Sequence, residues 1–257
     1  MINVEIPKRI NKIVKNIWVY PKIIDPDFIH RKYLLKQIKV VSNTLEPNLN
    51  ILDVGCGWMP YRDFFLAKCK NYIGIDIKEL PGIDIKLIKN NKFPVKSDSI
   101  DICLSWQVLE HVENIPRFFN EIKRCLKGNG ILYLTTHGFF RIHNPEDFWR
   151  WTDHGLVKLL ELNGFSDIKV YASDNSISAA VSFLNNVFAI LIPNKKGVNR
   201  IVFRILTSLL FLSTNCFGYF ISILLDKIGV TKHKDNPSVY LVETKSDHSK
   251  CRHPKFP

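Results

Sequence analysis

Short apolar runs alternate with helical periodicities through the middle of the chain. Segments 51–54, 72–77, 83–88, 100–105, 131–135 and 168–171 read as buried strands, and 239–243 adds one more near the end. Helical spacing fills 30–44, 61–69, 115–126 and 152–163, with Gly164 closing the last and Lys127-Gly128-Asn129-Gly130 reading as a turn. Short apolar strands separated by helices predict an α/β fold with a doubly wound, mostly parallel sheet.

Two stretches break this rhythm. In 1–20, Ile6, Ile10, Ile13, Val14, Ile17 and Trp18 recur at helical spacing opposite Lys8, Arg9, Lys12 and Lys15. That is a basic amphipathic helix, suited to capping the domain or to lying on an anionic membrane surface. Between the sixth and last strands, 177–192 is apolar and helical, 193–197 is a turn, and 201–225 is a long apolar run carrying only Arg204. The uncharged part, 205–225, would measure about 31 Å as a helix, enough to span a bilayer. A single crossing would leave the last strand on the wrong side. Arg204, Ser208, Asn215, Ser222 and Asp226 also share one helix face within about 40°. Only a hairpin with 177–192, or no crossing, is consistent, and the insertion is expected to lie in a membrane interface or pack in an apolar groove of another helix, or to serve as a lid or dimer surface. Entering and leaving at the carboxyl edge of the sheet, it should flank the substrate entrance. The organisation expected is N-terminal helices over 1–45, a core over 46–172, the apolar insertion over 173–238, a core strand over 239–245 and a disordered tail over 246–257.

Composition narrows the class. In 257 residues, 46% hydrophobic and 23% charged content describes a folded globular chain. The net charge of +12 fits an anionic membrane or a nucleic acid, or a compositional bias of the genome. The six cysteines form no C-x-x-C pair and several sit in apolar patterns. That suits buried thiols in a reducing cytosol rather than disulfides or zinc. The N-terminus shows no uninterrupted apolar leader segment, so a cytoplasmic location is expected, peripheral at the inner face of the cell membrane if the amphipathic segments touch it.

The chemistry centres on Ile51-Leu52-Asp53-Val54-Gly55-Cys56-Gly57, a strand that turns through glycines toward a helix and so cradles a nucleotide. A dinucleotide fingerprint needs glycine at the sixth position, where this chain has Pro60. Asp53 precedes the first glycine by two residues. Asp76, 23 residues beyond Asp53 at the end of the second strand, has the separation of a ribose-hydroxyl acceptor.

With 93–101, Val108-Leu109-Glu110-His111-Val112, 121–126 and Gly130-Ile131-Leu132, this stretch closely resembles class I S-adenosylmethionine-dependent methyltransferases over roughly 45–172. The resemblance implies a seven-stranded sheet whose last strand runs antiparallel beside the sixth, and S-adenosylmethionine as cofactor. It implies that Asp53 orients the methionine part and that Gly55, Cys56 and Gly57 let the backbone pass against the ligand. Asp76 would accept both ribose hydroxyls, Asn90 is nearest to meeting the adenine, and Ser105, Trp106 and Gln107 would border the methyl donor. Glu110-His111 lacks the first acid of an E-x-x-E-H metal group, since Gln107 stands there, and no metal is expected.

The loop 135–152 mixes His, acid, Arg and Trp at the carboxyl edge, where open α/β sheets bind ligands. Its Pro145–Thr152 pattern, with Trp58-Met59-Pro60-Tyr61-Arg62, resembles a methyltransferase subgroup associated with cell-surface polysaccharide synthesis. A sugar hydroxyl needs a base. His137 is the expected base, with His143 and Asp147 the next candidates. Tyr61, Arg62, Trp149, Arg150 and Trp151 are the expected substrate-binding residues; Trp149 and Trp151 would stack on a sugar or wedge the loop into the core, and Arg150 would hold a substrate phosphate or else pair with Asp147 or Asp153. The expected function is O-methylation of a glycan or lipid-linked saccharide precursor. RNA methylation is the alternative, although no stacking platform for nucleic acid is visible; a cofactor-binding scaffold without chemistry is the third reading.

Overall fold

A computed structural model describes residues 13, 18–80, 82–89, 91–191, 198–228 and 237–246. Asn90, the turn 193–197, the tail beyond Ser246 and most of the helix expected over 1–20 lie outside the described residues.

Helix α1 (Phe28–Thr44) leads into β1 (Leu49–Val54), the short helix α2 (Arg62–Phe65), β2 (Cys69–Asp76), β3 (Ile85–Lys86) and β4 (Ile100–Trp106). After a 3-10 turn over Leu109–His111 come α3 (Ile115–Cys125), β5 (Leu126–His137), α4 (Asp153–Leu162) and β6 (Phe165–Ala172). Two helices, α5 (Ser176–Leu191) and α6 (Val198–Lys227), then precede β7 (Val239–Ser246). The sheet has seven strands in the order β3-β2-β1-β4-β5-β7-β6, and only β7 runs against its neighbours. The expected fold class holds.

Period-two alternation places the helices. Ile51 of β1 and Val239 and Leu241 of β7 face a core shared with Leu34, Ile38 and Val41 of α1. Leu52, Val54, Tyr240 and Val242 face the opposite core with Phe119 and Ile122 of α3 and Leu156 and Leu160 of α4. Local chemistry sets the helix ends: Asn114 accepts from Arg117 N–H, and Thr152 accepts from Gly155 N–H. Two expectations are corrected. The third strand shrinks to two residues, since only Ile85 and Lys86 pair with β2. Lys127–Gly130 is an irregularity inside β5 rather than a turn before it, because Leu126 already pairs with Ile100 and Ile131 with Ile102.

The insertion leaves and rejoins the sheet at one point. Ser238 donates to the Asp174 carboxylate through both N–H and Oγ, each at 2.8 Å, and Ser173 Oγ donates to Val239 O at 2.6 Å. Asp174 is buried, and burial raises its pKa to about 6.

Helix α6 carries Phe211, Asn215, Gly218 and Ser222 on one buried face. Asn215 accepts from Asn185 Nδ2 at 2.9 Å and donates to Ile23 O at 2.7 Å and Asp25 O at 2.9 Å. Ser222 Oγ meets Tyr33 OH at 2.8 Å and accepts from Asn175 Nδ2 at 2.9 Å. The central part of the polar stripe therefore faces the protein, where partners exist, while Arg204 stays exposed. Asn215→Ala leaves two backbone carbonyls and Asn185 without this partner. It should lower stability by about 1–3 kcal/mol, against a change within about 0.5 kcal/mol for Leu206→Ala on the exposed side. Urea denaturation of the two variants checks the contrast.

Candidate functional site

The carboxyl ends of β1, β2 and β4 meet at the glycine turn. Gly55 N–H and Cys56 N–H both donate to Ile75 O, bending the chain out of β1 toward β2. Gly55 and Gly57 have φ of 71° and 52°, a left-handed conformation natural to glycine. A Cβ on Gly55 would lie 2.5 Å from Val108 Cγ2, whereas one on Gly57 would meet nothing within 4 Å. The first glycine thus permits packing, and the second faces open space where a ligand can approach.

Asp76 fixes this turn. One carboxylate oxygen accepts from Gly57 N–H at 2.8 Å and the other from Lys78 N–H at 2.7 Å. Each oxygen keeps a further lone pair for a ligand hydroxyl. Asp53 is buried, and Tyr72 OH donates to its Oδ2 at 2.6 Å. Its Oδ1 has no hydrogen-bond partner within the described protein. Burial raises the Asp53 pKa to about 7, and Asp76 adds to the rise against the Tyr72 bond.

A cavity opens here, lined among others by Asp53, Gly57, Trp58, Tyr61, Trp106 and Gln107. Gly55, Cys56 and Pro60 also line it, and Trp18 closes one side. Burial raises the pKa of the Cys56 thiol and of the Tyr61 phenol, so both stay neutral at physiological pH. The floor is polar. Trp106 Nε1, the Gln107 amide and Asp53 Oδ1 are buried without partners in the described protein; Ser105 Oγ, which is not part of the lining, is likewise unpartnered. Leaving such a group unsatisfied costs about 1–3 kcal/mol, so a cluster of them marks a polar ligand's place. Gln107 is also held at φ 57°, unusual outside glycine, with its N–H on Thr135 O at 3.0 Å. These donors and acceptors fit the amino-acid and ribose parts of S-adenosylmethionine.

The loop after β5 closes over the 3-10 turn. Phe148 N–H donates to Glu110 O at 2.9 Å, His111 Nδ1 lies 3.0 Å from Glu146 O, and Trp149 Nε1 donates to Val112 O at 2.9 Å. Arg150 holds the loop from inside. Its Nε donates to Phe140 O, its Nη1 to Trp149 O, its Nη2 to Arg141 O, and both Nη groups to Asp147. All five N–H donors are thereby engaged, so the phosphate-holding role expected of Arg150 has no free donor. Trp151 packs against the core, and its ring stacks at 5.8 Å on that of Trp149, which is exposed. Arg62 lies over the Tyr72 ring, 5.6 Å from its centroid, on the cofactor side rather than beside this loop.

The three candidate bases differ in access. His137 is only 3% exposed, with the Phe140 ring stacked on it at 4.3 Å and the His30 ring at 5.2 Å. Burial, then His30 and His143, holds its pKa well below the usual histidine value. Its Nε2 lies 3.3 Å from Glu110 Oε1, and Thr136 Oγ1 donates to Glu110 Oε2 at 2.9 Å. Glu110 is fully buried, and burial raises its pKa to about 7. Asp147 accepts from Arg150 and from His143 N–H. Burial pushes its pKa up, but these bonds outweigh it and leave the carboxyl below its usual range. His143 keeps its side chain 22% exposed, with Nδ1 at 2.8 Å from Asp147 Oδ2. Burial lowers its pKa despite Asp147. Among the described residues no group of three or more His, Cys, Asp or Glu is arranged to hold a metal ion.

Sequence reasoning missed Tyr72, Glu110 as the partner of His137, and His30. The signals were present but non-local: Tyr72 pairs with Ile51 across β1–β2, and Trp106 pairs with Thr135 across β4–β5.

Comparison with known proteins agrees with this geometry. The model of the methyltransferase domain family matches residues 28–168. A protein of Mycobacterium tuberculosis, named a probable S-adenosylmethionine-dependent methyltransferase, is 26% identical over 123 residues, covering 43% of this chain and 45% of that protein. A ubiquinone biosynthesis O-methyltransferase of Rickettsia canadensis is 28% identical over 120 residues, 42% of this chain and 50% of that one. The chain thus spans about half the length of these curated relatives. Among solved structures, an S-adenosylmethionine-dependent methyltransferase from Thermotoga maritima superposes with a TM-score of 0.51 at 16% identity, covering 86% of this chain and 92% of that one.

The two glycines should respond differently to a methyl group. Gly55→Ala meets both the Val108 clash and the positive φ and should cost about 2–4 kcal/mol. Gly57→Ala meets only the φ term, about 1–2 kcal/mol, and should instead weaken ligand binding. Thermal unfolding with and without S-adenosylhomocysteine separates the two effects.

Proposed function

The chain belongs to the methyltransferase-domain family of class I S-adenosylmethionine-dependent proteins, and from that premise we propose that it O-methylates a hydroxyl of a glycan or lipid-linked saccharide precursor. The observation that carries the cofactor half is the cluster of buried, unpartnered groups on Asp53, Trp106 and Gln107 around the glycine turn. The acceptor half rests on the loop after β5, which carries an exposed tryptophan for a sugar face and a partly exposed histidine 2.8 Å from a carboxylate.

When bound, S-adenosylmethionine supplies an electrophilic methyl group on a cationic sulfur. Asp53 would hold the amino-acid part, Asp76 the ribose hydroxyls, and Ser105, Trp106 and Gln107 the region next to the sulfur. Asn90 remains our candidate for the adenine. A carboxylate facing an ammonium group binds best when ionised, so Asp53 must release a proton whose pKa is about 7 in the free protein.

His143 is the base in this proposal. Its Nδ1 lies 2.8 Å from Asp147 Oδ2 without hydrogen-bond geometry, close enough for that carboxylate to stabilise the imidazolium by charge, and Nε2 is left to take the acceptor's proton. His137, covered by Phe140, cannot meet an acceptor unless that ring moves. With Glu110 it acts as a positioning residue: its ring stands edge-on to that of His143 at 5.2 Å. Tyr61 and Arg62 belong to the cofactor side, and Trp149 is the sugar platform, with Trp151 beneath it.

Three outcomes test this reading. Affinity for S-adenosylhomocysteine, measured by calorimetry, should fall about tenfold from pH 8 to pH 6 as Asp53 takes up its proton, and Asp53→Asn should remove that dependence. Absence of binding at any pH would defeat the assignment. At saturating cofactor, His143→Ala should lose about 10²–10⁴ in transfer rate with binding unchanged. The wild-type rate should drop only on acidification below about pH 6.5, because the base must be neutral and its pKa lies below the usual value. Radiolabelled methyl should pass to glycolipid extracts and not to RNA; binding without transfer to either would point to a scaffold.

A further inference from the structure

We infer that α5 and α6 dock the protein on the surface of an anionic lipid bilayer, lying along it with their apolar side in the acyl boundary. The pair is built inside out. On α6 the buried face holds Asn215 and Ser222, while Leu206, Leu209, Phe217 and Phe220 on the opposite side are exposed. At 100° per residue these four lie within about 80° of one another and centre roughly opposite the buried stripe. Leu184 and Phe188 extend the exposed surface onto α5. A helix meant for water presents the reverse arrangement.

The polar groups of α6 outside the buried stripe suit an apolar medium. Ser213 Oγ donates to Leu210 O at 2.8 Å, and Thr207 Oγ1 to Phe203 O at 2.9 Å, so neither hydroxyl needs water. The stretch Val202–Leu225 is long and apolar enough to cross a membrane. Its bonds to Ile23, Asp25, Tyr33 and Asn185, however, tie it to the folded domain, which fits lying on a bilayer rather than crossing it.

Charge selects lipid over a second copy. A chain of net charge +12 repels its twin and is drawn to anionic headgroups. Cations border the apolar side: Lys32 sits over the Tyr219 ring at 4.7 Å, and Lys227 on α6 itself is exposed.

The site is mechanically joined to this surface. Arg141 Nε donates to Asn186 Oδ1 of α5 at 2.8 Å, and the Phe139 and Phe183 rings lie 4.9 Å apart. The loop carrying His143 therefore rests on the docked helix, so an amphipathic acceptor held in the bilayer reaches it without leaving the membrane. The docking itself does not rest on the methyl-transfer reading.

Flotation of the full chain through a sucrose gradient tests the inference, using vesicles of phosphatidylcholine alone and of phosphatidylcholine with phosphatidylglycerol. The protein should float with the anionic vesicles. The double variant Phe217→Glu/Phe220→Glu should float at least about tenfold less, with S-adenosylhomocysteine affinity within about twofold of wild type as the sign of an intact fold. Should that variant fail to fold, Leu206→Ser/Leu209→Ser on the same side gives the same reading. Wild-type protein that stays in solution with both vesicles overturns the proposal, as does flotation undiminished in a folded variant. A dimer without vesicles that these substitutions dissociate assigns the face to a second copy and likewise overturns it.

Discussion

The carboxyl edge of this sheet is fixed by one carboxylate. Asp76 takes the Gly57 N–H on one oxygen and the Lys78 N–H on the other, tying the end of β2 to the turn after β1. Without that bridge, two glycines in the left-handed region would have many other conformations available. With it, the turn has one, and the groups that face the cavity hold their places. The acid expected to serve the ligand is thus also part of the frame that creates the ligand's site.

A second constraint is the burial of ionisable groups beside that edge. Asp53, Glu110 and Asp174 are buried, and burial raises each of their pKa values toward neutrality. A carboxyl whose folded pKa exceeds its unfolded value stabilises the fold fully below the unfolded pKa and loses that contribution as pH rises through the folded value. For these three the loss falls between about pH 4 and pH 7. The site is therefore held at some cost in stability near neutral pH, a cost that a cationic ligand facing Asp53 would offset.

Much of this was legible in the sequence, and the division follows the range of the interaction. The alternation of strands and helices, the glycine turn, Asp53 and Asp76 depend on residues near one another in the chain. The polar stripe on α6 was visible from helical geometry alone. Its inward direction was not, because that depends on partners at Ile23, Tyr33 and Asn185. Tyr72 on Asp53 and Glu110 on His137 depend on cross-strand register, which only the assembled sheet defines. Arg150 stayed open between a pairing with Asp147 or Asp153 and a phosphate clamp, because a guanidinium beside a carboxylate reads equally as a ligand clamp or as an internal brace. Only the three loop carbonyls on its remaining N–H groups decide between them.

The staple at the root of the insertion has a further consequence. Asp174 and Ser238 are held together although 64 positions separate them, and both border strands that would pair whatever lay between. The junction fixes where the insertion leaves and rejoins the sheet, so the register of β6 on β7 is set at its root rather than along its length. The same root therefore passes any tilt of the two helices to the β6–β7 edge, and their contacts with Arg141 and Phe139 pass it to the loop above the cradle.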